Sequence, residues 1–176
     1  DIDGEATGDN SGRSVSLSSD GLTIAIGGTQ NDGTTGTNTD NRGHVRVFKY
    51  REYTQSDSDT YYYQSQIQNS TQTKPLIITE NDTTAPVVGN SYWMQLGQDI
   101  DGEAAHDYVG TSVSLSSDGS IVAIGAKQYS SKSGYVRVYK RDTSVALGWT
   151  QNGSDIDGEA TGDLFGFSVS LSADGS

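Results

Sequence analysis

The chain has 176 residues, enough for one ordinary domain, and carries 23 acidic against 11 basic residues for a formal net charge of −12. A field of that sign repels phosphate backbones, which argues against nucleic acid as a partner, while it attracts cations and favours solubility. Without cysteine there is no disulfide framework, thiolate metal site or thiol nucleophile, and 32% hydrophobic residues imply thin sheets with small side chains rather than a thick core.

The segment Asp-Ile-Asp-Gly-Glu-Ala opens the chain at Asp1 and returns at Asp99 and Asp155, each time starting a longer phrase. The copies read DIDGEATGDNSGRSVSLSSDG, DIDGEAAHDYVGTSVSLSSDG and DIDGEATGDLFGFSVSLSADG. Their starts divide the chain into a first repeat unit over 1–98, a second over 99–154 and the beginning of a third over 155–176. Repetition on this scale marks a repeat architecture.

In chain order, Ser14-Val15-Ser16-Leu17-Ser18 alternates with period 2 and predicts a first strand. Asp20-Gly21 predicts a hairpin turn in which glycine supplies the positive φ. Thr23–Gly27 is the second strand. The oxygen-rich loop from Asn31-Asp32-Gly33 to Asp40-Asn41 has no counterpart in the second unit and is expected to be solvated. His44–Phe48 is the third strand. An insert over 51–90 follows, in which Thr60–Ile67 and Pro75–Thr79 predict an extra hairpin. Trp93–Leu96 is the fourth strand. The second unit repeats the series at Ser112–Ser116, Asp118-Gly119, Ile121–Gly125, Tyr135–Tyr139 and Trp149–Asn152, and the third opens with Ser168–Ser172 and Asp174-Gly175. No window has helical periodicity, and no apolar stretch approaches the ~20 residues of a membrane span.

Four short antiparallel strands in a repeat of roughly 40–55 residues define a β-propeller blade. The expected fold is therefore all-β, about two blades and one strand. On the first two strands Val15, Leu17, Ile24 and Ile26 face one way and Ser14, Ser16, Ala25 and Gly27 the other, so a bulky face packs on a small-residue face of the next blade. Val15→Asp and Leu115→Asp are both expected to unfold the module by burying an unpaired charge. A propeller closes with roughly four to eight blades. The expected partners are further blades, from the same chain or from associated copies.

Leu164-Phe165-Gly166-Phe167-Ser168-Val169, with the Val122–Ala126 strand after a glycine turn, resembles the FG-GAP repeat. The likeness is nearest to the variant with Asp-Gly-Glu-Ala-x-x-Asp ahead of the glycine and Trp-x-Gln on the outer strand. The chain departs from it where Ser11-Gly12 and Val109-Gly110 replace Phe-Gly, and where Gly27-Gly28-Thr29 and Gly125-Ala126-Lys127 replace Gly-Ala-Pro. The resemblance implies the propeller of integrin α chains and of many bacterial and algal surface proteins. It implies little about activity, because propellers host many.

The acidic phrase is the best candidate for chemistry: Asp1, Asp3, Glu5 and Asp9, then Asp99, Asp101, Glu103 and Asp107, then Asp155, Asp157, Glu159 and Asp163. Asp-x-Asp-Gly-Glu offers three carboxylates and a bend, in keeping with calcium's liking for about six to eight oxygens. The same residues also suit turns whose carboxylates cap backbone amides. The family's calcium loop lies between the first two strands, where this chain has only Ser-Ser-Asp-Gly. Tyr61, Tyr62 and Tyr63 in the insert offer rigid amphipathic area for a glycan or protein partner, or pack on the blade. Asn69, Asn81 and Asn152 begin N-glycosylation sequons. No catalytic motif is present: Gly12-Arg13-Ser14 continues Val-Ser and is no nucleophile elbow. The reading is a noncatalytic structural or adhesive scaffold, extracellular or at the cell surface, with no cofactor beyond a possible role for calcium. The alternatives are a carbohydrate-binding module using the tyrosine-rich insert, and an accessory domain of an extracellular hydrolase.

Overall fold

The computed structural model describes residues 2–32, 40–54, 62–63, 76–78, 86–127, 133–145 and 148–176. They are all-β and contain no helix, hence none long and apolar enough to cross a membrane. The first sheet holds β1 (Ser11–Leu17), β2 (Thr23–Gly28), β3 (His44–Glu52), β4 (Tyr62–Tyr63), β5 (Leu76–Ile78), β6 (Ser91–Gln95) and β7 (Ile100–Asp101). Its order is β1-β2-β3-β6-β5-β4, with β7 paired to β3. The second sheet holds β8 (Val109–Leu115), β9 (Ile121–Ala126), β10 (Tyr135–Arg141), β11 (Trp149–Gln151) and β12 (Ile156–Asp157), in the order β8-β9-β10-β11 with β12 paired to β10.

Register converts the period-2 pattern into two unlike faces. Val15 lies opposite Ile26 and Leu17 opposite Ile24, while Ser14 meets Gly27 and Ser16 meets Ala25. The second sheet repeats this with Val113–Ile124, Leu115–Val122, Ser112–Gly125 and Ser114–Ala123. Val113, Leu115, Val122 and Ile124 are buried in one cluster with Ala25, Val45 and Val47 of the first sheet, closed by Tyr139 and Trp149. The bulky face of the second sheet thus packs on the small face of the first. The approach is close enough to require glycine: a Cβ at Gly27 would strike the Gly110 carbonyl, and one at Gly125 the Gly166 carbonyl.

The first sheet's own bulky face is open at one end. Val15 is 60% and Leu17 57% exposed, so Val15→Asp buries no charge here, and the expectation of unfolding holds for Leu115 alone, at 8%. The difference is one of partners, because Leu115 has a preceding sheet to pack on and Leu17, among the described residues, has none.

Three other expectations are corrected at the described residues. Among its described residues the insert forms no hairpin: β4 pairs parallel with β5 (Tyr62–Leu76, Tyr63–Ile77), and β5 takes its antiparallel partner from β6. Ser168–Ser172 joins no ladder, since nothing among the described residues pairs with it as β2 pairs with β1, although Val169 and Leu171 are half-buried. The described ends of the loop after β2 are less solvated than their composition implies, since Asn31 and Asp40 are each 8% exposed.

Candidate functional site

Each acidic phrase is tied into the structure by a turn, and the second and third phrases at two further points as well. Its fourth carboxylate closes a turn: Ala6 N–H donates to Asp9 at 2.9 Å, Ala104 N–H to Asp107 at 3.0 Å and Ala160 N–H to Asp163 at 2.8 Å. Asn10, Tyr108 and Leu164 follow, each with φ 53°, the left-handed region that non-glycine residues rarely occupy. They turn the chain toward a bulge at the start of β1 and of β8. The first carboxylate is held from the strand before it, by Gln95 Nε2 on Asp99 Oδ1 at 2.6 Å and Gln151 Nε2 on Asp155 Oδ1 at 2.7 Å. The Ile-Asp pairs form β7 and β12, so the second phrase is hydrogen-bonded into the first sheet and the third phrase into the second.

At this junction the second unit forms a clasp. Arg137 on β10 donates through Nε and Nη2 to the two oxygens of Asp155 at 2.9 and 2.7 Å, while its Nη1 lies 3.0 Å from Glu103 Oε1. The paired hydrogen bonds that Arg137 donates to Asp155 raise the arginine's pKa, and the guanidinium in turn lowers that of Asp155. Tyr135 stacks under the guanidinium, 4.5 Å from the ring centroid, and donates its hydroxyl to Asp107 Oδ2 at 3.2 Å. Burial is the main cause of its raised pKa. These residues line an open cleft of about 430 Å³ that reaches Asp157 and Glu159 of the third phrase.

The equivalent junction of the first unit has a different chemistry, because β3 presents His44 where β10 presents Tyr135. His44 and Arg46 are each 1% exposed. Arg46 Nη2 donates to the Asp3 carbonyl at 2.6 Å and Nη1 lies 3.6 Å from Glu5 Oε1, but Nε and Nη1 make no hydrogen bond. His44 Nδ1 lies 3.6 Å from Asp99 Oδ2 and 3.8 Å from Glu5 Oε2, likewise without a hydrogen bond. Burial lowers the pKa of His44, but the Asp99 and Glu5 carboxylates outweigh it and the net direction is up. Burial, then the charge of Asp99, raises that of Glu5. Asp99 itself ends below its ordinary value, burial being outweighed by His44, Arg46 and Gln95.

Among the described residues, Glu5, His44 and Asp99 are the one group of three or more potential ligands gathered within 4.8 Å. It draws one carboxylate from each of two phrases and an imidazole from a strand; no phrase gathers its own carboxylates. Asp3, Asp101, Asp157 and Glu159 are exposed, and Asp1 lies outside the described residues. Tyr61, Asn69 and Asn81 also lie outside them; Tyr62 and Tyr63 are placed only as the backbone of β4, and Asn152 is exposed. Sequence reasoning missed His44, Arg46, Arg137, Gln95 and Gln151. The available signal was spacing: each glutamine stands four residues before the first Asp of a phrase.

A scan of protein-family models, a search of characterised protein sequences and a search of solved structures each find no match to this chain.

Proposed function

We propose that the chain is a noncatalytic scaffold of β-propeller-type blades, part of a secreted or cell-surface protein with a structural or adhesive role, in keeping with the FG-GAP repeats it resembles. The observation that carries this reading is that successive units meet through the same contacts twice. Leu115 N–H donates to Ser16 Oγ at 2.9 Å and Leu171 N–H to Ser114 Oγ at 3.0 Å. Ser14 Oγ donates to the Gly110 carbonyl at 2.7 Å and Ser112 Oγ to that of Gly166 at 2.8 Å. Ser19 N–H meets the Ser117 carbonyl at 2.9 Å and Ser117 N–H that of Ala173 at 2.8 Å. Contacts that recur between unlike loops define one operation carrying each unit onto the next, as in repeat proteins. The open Val15 and Leu17 face is the surface a further unit would cover by that operation. The carboxylates support a structural role as well, since those of Asp9, Asp107, Asp163 and Asp155 cap turns or grip arginine.

The test is a tandem chain of copies of residues 99–154, imaged by negative-stain electron microscopy. A closed ring at one copy number, with a rise in melting temperature at closure, is the expected result. An open rod that lengthens with every added copy would reject the propeller. Beads coated with the ring-forming chain should then adhere to cells or to a glycan array, and failure on both would remove the adhesive role.

A further inference from the structure

We propose that Glu5, His44 and Asp99 bind one divalent transition-metal ion of the zinc class, where the first unit meets the second and not where the second meets the third. The donor atoms lie close to the required spacing. Metal–ligand distances of about 2.0–2.2 Å set a tetrahedral edge of about 3.4 Å. The His44 edges are 3.6 Å to Asp99 Oδ2 and 3.8 Å to Glu5 Oε2, and all three ligand atoms fall within 4.8 Å. An ion between them needs a closure of a few tenths of an ångström on the histidine side.

The buried imidazole is the independent sign of a ligand. His44 Nδ1 is without a hydrogen-bond partner in a residue 1% exposed, and it points between two carboxylate oxygens. Buried polar atoms are rarely left in that state, since the lost hydration goes uncompensated. A cation at the centre would satisfy the imidazole lone pair and both carboxylates together.

The surroundings orient these ligands as outer partners do in metal sites. Gln95 occupies Asp99 Oδ1, leaving Oδ2 for the ion. Arg46 faces Glu5 Oε1, leaving Oε2, which Asn31 Nδ2 approaches only at 3.4 Å. The two carboxylates outweigh the single guanidinium, so the cluster remains a net attractor of cations. Gly28 makes room for the ring, because a Cβ there would lie 2.8 Å from His44 Nε2. Glu5 and Asp99 keep 30% and 26% side-chain exposure, which gives the ion a route from solvent and leaves a fourth position for water.

The donor set selects the metal. Calcium prefers an all-oxygen shell, whereas imidazole with carboxylates suits zinc and its neighbours. The second unit serves as a built-in comparison: Tyr135 replaces His44, Ala126 replaces Gly28, and Arg137 occupies both oxygens of Asp155.

The test uses untagged full chain, stripped with chelator and titrated with zinc by calorimetry, with cobalt(II) absorption as a second readout. The expected result is one zinc per chain and a cobalt spectrum of tetrahedral nitrogen and oxygen ligation. His44→Tyr should weaken zinc binding by more than the ~10–100-fold that loss of an outer partner costs. Asp99→Asn and Glu5→Gln should each weaken it while keeping the wild-type circular dichroism, and they decide the matter if His44→Tyr does not fold. His106→Ala should change nothing. The proposal is overturned if wild-type protein shows no saturable zinc binding, if folded Asp99→Asn and Glu5→Gln bind like wild type, if His106→Ala abolishes binding, or if equimolar calcium displaces the zinc.

Discussion

Leu17 and Leu115 hold the same place in two copies of one phrase, yet Leu17 is 57% exposed and Leu115 8%. Truncating each to alanine removes the same atoms, so the difference in cost isolates the packing of one sheet on the other. For Leu115 the lost transfer energy and the cavity left against Ala25, Val45 and Val47 come to about 3 kcal/mol, inside the ~2–5 kcal/mol seen for buried leucines. For Leu17 more than half the side chain already meets water, and under about 1 kcal/mol is expected. At this chain length each kcal/mol shifts melting by about 2–4 °C, so Leu115→Ala should fall by about 6–12 °C and Leu17→Ala by at most about 4 °C. The assay is thermal and urea unfolding followed by the fluorescence of Trp149, which is 2% exposed. The urea slope should stay constant while the midpoint moves. Equal losses in a monomeric protein would refute the packing order, because they would mean that the Val15 and Leu17 face is covered as well.

Gly27→Ala and Gly125→Ala should each destabilise by about 1–3 kcal/mol, because the new methyl meets a backbone carbonyl of the next unit and the sheets must part; wild-type melting of either would remove the close-approach argument. Trp149→Phe keeps most of the buried area but loses the indole donation to the Leu96 carbonyl at 2.6 Å, which should cost about 1–3 kcal/mol in chemical denaturation. Acid should loosen the hairpin turns. The Ser120 backbone N–H, with the Ser116 and Ser120 hydroxyls, holds Asp118 at about 2 against an ordinary 3.8. A depressed carboxylate stabilises the fold above its unfolded value, and that contribution disappears as pH falls through about 2. Asp118→Asn should therefore flatten the fall in melting temperature between pH 4 and pH 2, and an unchanged acid profile would count against the turn's role.

The strands were legible because each rests on a local signal. Ser-Val-Ser-Leu-Ser alternation and the Asp-Gly turn recur in every copy, and β1, β2, β8 and β9 fall within a few residues of the expected positions. What the pattern could not convey was which copy has a neighbour. Val15 and Val113 are identical in sequence context, and only the arrangement of sheets separates 60% from 8% exposure. The acidic phrase was legible as a cluster but not as a set of contacts. Reading it as a self-contained loop put Asp99 with Asp101 and Glu103, whereas β7 hydrogen-bonds to β3 and delivers Asp99 to Glu5 and His44, distant in sequence. No periodicity encodes that meeting. The insert is legible only in part: Thr60–Ile67 and Pro75–Thr79 carry strand signals that fit a hairpin locally, while the edge of β6 supplies a competing partner for Ile77 and Ile78.

The two junctions show how little sequence change redirects one scaffold. Both carry an arginine two residues into the third strand, a glutamine on the outer strand and the same incoming aspartate. With tyrosine at the first position, the ring lies under the guanidinium and Arg137 is held flat against Asp155, so the charges neutralise one another in paired hydrogen bonds. With histidine there, the ring stands between Asp99 and Glu5, and Arg46 turns to the Asp3 carbonyl and Phe48 instead. The aspartate that closes the clasp in one unit is left with an oxygen facing an imidazole in the other. His44→Tyr combined with Gly28→Ala should accordingly restore the clasp, with Arg46 swinging onto Asp99. An Arg46→Met change should then cost more stability in that double variant than in wild type. A double-mutant cycle reads the difference directly, and no coupling between the two changes would mean that residue 44 does not set the arginine's partner.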